Sequence, residues 1–328
     1  MEIPYRHTEK IKINQHTKDP DTRRIDGFRV AVVVLPDAPR KPHWERLAYA
    51  DVLKTRFQRR RRQDKHADQL LTDLPNATGT RIILQTVKPD TSTFELLSSA
   101  RKIAALLRAQ DPAAVLLHIA GLDQSTATRL TEVLSAAILA AVCPMPSYKS
   151  ETDKPAALKR IEVYGLEQPA DLAQVQAESI GNHLSRWLSA LPANELTPTV
   201  YREFVGKLAA EEGWKMDFLN TRALARRKAG AFLAVAQASP VDDAGIVHLR
   251  YRPAGCGGKR LALVGKGICF DTGGVNVKPA RHMNGMHEDM QGSAVALGTL
   301  LALTRLGLEH PVDCWLALAQ NHIGSKAY

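Results

Sequence analysis

Aromatic residues are scarce: the chain has 328 residues, and only 5% of them are Phe, Tyr or Trp. Aliphatic side chains must supply most of the packing, and apolar residues at 45% are enough for ordinary globular cores. Cysteine is scarce too. Cys143, Cys256, Cys269 and Cys314 are widely spaced and form no CxxC pair, which argues against a zinc ribbon or a disulfide framework and for reduced thiols. No run of 18 or more apolar residues occurs. The start, Met1-Glu2-Ile3-Pro4-Tyr5-Arg6, lacks the charged-then-apolar order of a signal peptide. The expectation is a cytoplasmic chain with no membrane partner. No internal repeat is present.

Positive charge, by contrast, is abundant, with a formal net charge of +10. Much of it is local, because Arg56, Arg59, Arg60, Arg61, Arg62 and Lys65 crowd together. Such a run can contact phosphate backbones. Only Phe57 interleaves with it, so a solvated helix face is the favoured reading and nucleic acid the lesser one.

At roughly 150 residues per domain, the length points to two domains. A near-continuous β-branched run at 28–36 reads as a buried strand, and 81–87 and 114–119 read as further strands. Helical spacing at 94–109 and 130–142 alternates with them, and 161–164 adds a last strand. That alternation predicts an α/β layer structure. Residues 1–24 are polar and read as an irregular arm or an edge segment, and 144–155, rich in Pro, Ser and Lys, read as a turn region. We place the boundary at Gln168-Pro169, giving domains 1–168 and 169–328. The second opens with a helix over 172–191. Thr197 then reads as an N-cap with Pro198 at the first helical position, and Gly213 as the C-cap of that next helix. Short strands are expected at 214–219, 232–237 and 246–251. A glycine-rich turn at 255–258 leads into a strand over 260–264.

The segment 264–292 carries the chemistry. A strand ends at Gly265, and Lys266 follows between two glycines, where backbone can approach a partner closely. Asp271 precedes Gly273-Gly274, Lys278 precedes Pro279, and Asp289 stands just before Gly292 and a helix over 293–306. Two lysines and two aspartates on glycine-rich loops at strand ends suit a polar site on an α/β sheet. Carboxylates suit divalent metals. A lysine ligates only as a neutral amine, and a charged one can hold an oxyanion. Ordinary surface turns also hold such residues, and one sequence does not place them in space.

This stretch closely resembles the signature of the leucyl (cytosol) aminopeptidase family of dinuclear metallopeptidases. The family reads Val-Gly-Lys-Gly-Ile-x-Phe-Asp-Ser/Thr-Gly-Gly, then Lys-Pro, then Met-x-x-Met-x-x-Asp-Met-x-Gly, and every element stands here in order. The flanks at 191–198 and 146–150 are similar to the family as well, so the resemblance covers about 140–328. It implies an N-terminal α/β (macro-like) domain followed by an incomplete α/β aminopeptidase catalytic domain. It further implies two divalent metal ions, Zn or Mn, with Lys266 and Asp289 on the tighter one and Asp271 bridging both. Lys278 would stabilise the oxyanion, and Met286 would line the pocket for the substrate's N-terminal side chain. Substrates would be peptides with a free N-terminus, cut through a water activated by two metals. Assembly as a hexamer is implied too.

The family's second signature, Asn-Thr-Asp-Ala-Glu-Gly-Arg, has no match in these residues, and Gln320 stands where many members have Glu. The expectation is a C-terminally truncated chain with impaired activity, since two carboxylates offset four positive charges poorly. The strand near 315–319 is expected to lie near a sheet edge. His282, His287 and His322 are read as loop or surface residues, Cys269 as a small buried hydrophobe, and Glu288 as outside the site. The alternatives are a DNA-binding member of the family and a structural member without catalysis.

Overall fold

A computed structural model describes residues 5–88, 90–150, 155–255 and 257–328. Part of the expected turn region at 144–155, and Cys256 of the expected turn at 255–258, lie outside them, as do the first four residues of the expected N-terminal arm. The chain forms two compact units. One comprises Arg6–Pro144 and Asp153–Gln176; the other comprises Ala177–Tyr328 with the short pieces Met1–Tyr5 and Met145–Thr152. Both are α/β, as expected.

The first unit is built on a six-stranded sheet with the order β1-β6-β5-β2-β4-β3. Its strands are β1 (Lys12–His16), β2 (Val30–Pro36), β3 (Gln69–Asp73), β4 (Arg81–Val87), β5 (Ala114–Ile119) and β6 (Arg160–Tyr164). All neighbours run parallel except β3, which pairs antiparallel with β4. Side chains alternate between two cores. Val30, Val32 and Val34 of β2 pack on one side with the helices Thr93–Gln110 and Gln124–Val142. Ala31, Val33 and Leu35 pack on the other with Leu53 and Phe57 of the helix Ala50–Gln63. A strand covered on both faces needs apolar residues at every position, which is why β2 reads as an unbroken run. The helix Gln124–Val142 is long and apolar enough to cross a bilayer by length and composition, but more than half of it is buried in this core.

Of the two readings of the N-terminal arm, the edge segment holds. The arm forms a short helix Arg6–Glu9, the edge strand β1 and the helix Thr22–Asp26, whose N-cap Asp21 accepts from the Arg24 amide. An edge strand with one face half-solvated carries polar residues, so its sequence hides it.

The second unit carries a four-stranded sheet, β7-β8-β10-β9, formed by β7 (Lys215–Asn220), β8 (Gly245–Tyr251), β9 (Leu261–Asp271) and β10 (Val312–Asn321). Two corrections apply here. The stretch 232–237 is not a strand but lies in the helix Gly230–Ala236 and its C-cap. The strand expected to end at Gly265 runs on to Asp271. The strand around Trp315 lies near a sheet edge, as expected, but one strand in: β10 sits between β8 and β9, and β9 is the edge strand. Helices Pro198–Glu212 and Gln291–Arg305 bury Tyr201, Phe204, Leu297 and Leu300 against Val247, Leu249, Cys314 and Leu316. Thr197 caps the first of these through the Val200 amide, and Gly213 closes it in the left-handed region, both as read from sequence.

Candidate active site

Strand β9 organises the site. Gly265 lies inside it because a Cβ there would sit 2.4 Å from the Ser293 Cα and 2.7 Å from the Gly292 oxygen. Its bareness lets the start of the helix Gln291–Arg305 press directly onto the strand. That contact sets Asp289, just upstream of the helix, beside Lys266, and their side chains form an ion pair.

The pairing of β9 with β10 then shifts. Lys266 lies opposite Ala317 and Ile268 opposite Ala319, but Asp271 lies opposite Asn321. Three residues of β9 thus span two of β10, which is a β-bulge. In a strictly alternating strand, Lys266 and Asp271, five apart, would face opposite sides. The extra residue returns Asp271 to the face of Lys266. Asn321 confirms the orientation by donating from Nδ2 to the Asp271 Oδ1 at 2.8 Å.

Beyond the strand the chain turns sharply. Thr272 donates through both its amide and its hydroxyl to the Asn321 carbonyl, at 2.9 and 2.7 Å. Gly273 takes φ +90°, and a Cβ on it would meet the Asn276 oxygen at 2.5 Å. Its amide donates to the Asp271 Oδ1 at 2.9 Å. The Lys278 amide closes the loop on the Thr272 carbonyl at 2.9 Å. This returns the Lys278 ammonium to Asp271, with Nζ 2.5 Å from Oδ2 and 3.2 Å from the backbone oxygen.

The electrostatics follow. Burial pushes the Asp271 carboxyl up, but the bonds from Lys278, the Gly273 amide and Asn321 outweigh it and hold the group down at about 2. Each carboxylate is thus matched by one lysine. Asp271 and Asp289 are mostly covered, whereas the Lys266 side chain is 57% exposed. Met286 opens the short 3-10 turn Met286–Glu288 that delivers Asp289 and is half-buried.

Several neighbours stand apart. Glu288 accepts from Gln291 and is exposed. His282 is exposed and accepts from Arg281, while His322 contacts Gln320. Cys269 is buried, and burial pushes its thiol up to about 12. Among the described residues no cluster of three or more His, Cys, Asp or Glu side chains closes on one point. The donor chemistry suits a divalent cation: two carboxylates and an amine on one strand and the turn beside it. Asn321 is the participant that sequence reasoning missed. Its only sequence signal is its register opposite Asp271, which depends on the bulge.

In the Ala50–Gln63 helix, two of the clustered arginines are structural. Arg56 donates to the Thr72 hydroxyl, and Arg61 donates to the Ala67 carbonyl and Asp37 while lying over the Phe57 ring. Arg59, Arg60 and Arg62 are exposed.

The paired lysines and aspartates gathered at one strand and the turns beside it have the make-up of a metal-dependent hydrolytic site, and comparison with known proteins shows what the unit is similar to. Residues 183–328 match the model for the cytosol aminopeptidase family, catalytic domain. The chain is 36% identical over 181 residues to a "Probable cytosol aminopeptidase" of Synechococcus elongatus, covering 55% of this chain and 37% of the relative. It is 33% identical over 241 residues to one of Microcystis aeruginosa, covering 73% of this chain and 48% of the relative. Among solved structures, a tomato leucine aminopeptidase mutant superposes with a TM-score of 0.78 at 20% identity, over 97% of this chain and 64% of that one. The bottromycin maturation enzyme BotP, in complex with Mn, superposes with a TM-score of 0.72 at 23% identity, over 91% and 61%. The segment 183–328 is thus similar to the catalytic domain of the cytosol aminopeptidase family. It spans between a third and a half of the length of these two curated relatives. The comparisons give the DNA-binding alternative no support.

Proposed function

We propose that this chain carries the metal-binding part of an aminopeptidase that releases N-terminal residues from peptides. The observation behind this is the bulge in β9, which places Lys266 and Asp271 on one face, with Asp289 and Lys278 each beside one of them. Lys266, Asp271 and Asp289 would hold a divalent cation, Mn or Zn, with Asp271 shared by a second ion. The metal, when bound, supplies Lewis-acid polarisation of the peptide carbonyl and an acidified water.

The chain's own groups do the rest. An amine ligates through its lone pair, so Lys266 gives up a proton on binding, and loading releases acid. Lys278, paired with Asp271 here, would donate toward the oxygen of the cleaved carbonyl if that carboxylate served as a metal ligand. Met286 offers a polarisable apolar surface to the substrate's N-terminal side chain. A cytosolic setting and hexameric assembly belong to the same reading and rest on the family resemblance. Asp271 and Asp289 fit one divalent ion comfortably; two ions would bring four positive charges against them. The 328 residues tested alone are therefore proposed to bind a second ion weakly and to turn over slowly.

The experiment is Mn²⁺ titration by calorimetry alongside hydrolysis of leucine 4-nitroanilide. The reading expects one metal-binding event that is lost in Asp289→Asn and Asp271→Asn. Metal binding of equal strength in both variants would overturn the site.

A further inference from the structure

The other unit holds a recess of about 480 Å³ that plays no part in the chemistry above. It lies at the carboxyl ends of β1 and β6, which are parallel neighbours. The chain leaves these two strands toward opposite faces of the sheet. After β1 it enters the helix Thr22–Asp26, whose Ile25 packs in one core. After β6 it passes through Leu166, Ala170 and Leu172, which pack in the other. Diverging connections open a crevice at the strand ends, the usual place for a ligand in such sheets.

The crevice is lined by polar groups that would be costly to keep there without use. His16, Tyr164 and His118 share one rung across β1, β6 and β5. The His16 ring stacks on Tyr164 with centroids 4.3 Å apart. Each histidine is backed by a carboxylate: His16 Nε2 lies 2.6 Å from Glu162, and His118 Nε2 lies 2.9 Å from Asp19. Asp19 is neutralised by Arg46 as well, through bonds of 2.8 and 3.0 Å. Asp21 caps its own helix by accepting from the Arg24 amide.

Two cations at the recess form no ion pair among the described residues, although the Glu162 and Asp21 carboxylates lie within electrostatic reach of Arg24. Arg24 donates through Nε to the Tyr164 hydroxyl at 2.7 Å, which aims its planar fork, while its terminal nitrogens have no partner among the described residues. Lys18 lines the same recess and has no carboxylate within ion-pair distance among the described residues. A guanidinium held at one nitrogen with its fork free suits bidentate capture of an oxyanion.

We propose that this recess binds a small molecule bearing an oxyanion, a carboxylate or a phosphate, on Arg24 and Lys18, with the rest of the molecule against the His16–Tyr164 wall. The site is separate from the aminopeptidase reading and stands without it. The test is calorimetry with inorganic phosphate on the full 328-residue chain, with histidine-detected NMR in parallel. Saturable binding that perturbs the His16 resonances is expected. The double variant Arg24→Gln/Lys18→Gln should bind about tenfold more weakly or worse, a loss of about 1.4 kcal/mol. Arg59→Gln, another exposed arginine, and Lys278→Gln should bind as the parent does. Should the double variant unfold early, Lys18→Gln alone must still lower affinity, since the Lys18 side chain has no hydrogen bond or ion pair among the described residues. No saturable binding, equal binding by the double variant, or loss in Lys278→Gln would each overturn the proposal.

Discussion

Asn321 holds Asp271 from across the sheet: its Nδ2 lies 2.8 Å from the Asp271 Oδ1, while its backbone oxygen receives both donors of Thr272. One residue thus fixes the carboxylate and the turn that follows it. Partners of this kind behind a ligand typically contribute tenfold to hundredfold to metal affinity. Asn321→Ala is therefore expected to weaken Mn²⁺ binding by about tenfold or more. Calorimetry reads this directly, and unchanged affinity would remove Asn321 from the site.

The Lys278–Asp271 pair makes a prediction about acid. The folded carboxyl sits at about 2 against an ordinary 3.8, so its folded value is depressed. Its stabilising contribution is complete above the ordinary value and is lost as pH falls through about 2. Lys278→Met removes the chief opposing interaction and leaves only the Gly273 and Asn321 bonds against burial, which raises the pKa. Asp271 should then titrate at higher pH, and the acid limb of unfolding should move up with it. Carboxyl ¹³C titration of the two proteins checks this, and identical midpoints would contradict it.

Glycines divide into two kinds. Gly265→Ala would drive a methyl into the Ser293 and Gly292 backbone and should destabilise by about 2 kcal/mol or more. Gly206, inside the helix Pro198–Glu212, has only the Met216 sulfur at 3.7 Å in the way. Gly206→Ala should stabilise by about 0.5–1 kcal/mol through helix propensity. Urea unfolding of both variants compares them, and equal effects would refute the close-approach argument.

The arginine run gives a fourth comparison. Arg61 bridges the Ala67 carbonyl and Asp37 over the Phe57 ring, so Arg61→Ala should cost about 1–2 kcal/mol. Arg59, exposed on the same helix, should stay within about 0.5 kcal/mol of the parent when changed to alanine. Denaturant midpoints settle the order.

How much of this was legible depended on where information is stored. β2, β4 and β5 announced themselves because strands buried on both faces leave no polar position. Helix ends at Thr197 and Gly213 followed from local capping chemistry. β3 was missed, and β1 showed only as an edge segment without bounds, because edge strands are polar and short. The run around Phe232 was read as a strand and is helical, since a short apolar stretch has no decisive period. The site residues were visible through their motif. Their arrangement was not, because Gly265 and Gly267 read as a loop while they serve close packing inside a strand, and because a bulge is a property of two strands together.

The bulge also sets how this strand tolerates changes in length. Deleting one residue between Ile268 and Asp271 would restore even spacing with β10 and leave Lys266 and Asp271 four apart, so both would keep the same face without a bulge. Deleting Gly267 with the bulge kept would instead set Lys266 opposite Leu318, on the side that packs Cys269, and away from Asp271. Where a one-residue gap falls in this strand therefore matters more than its size, because only a gap outside the bulge changes the sides on which the two groups are displayed.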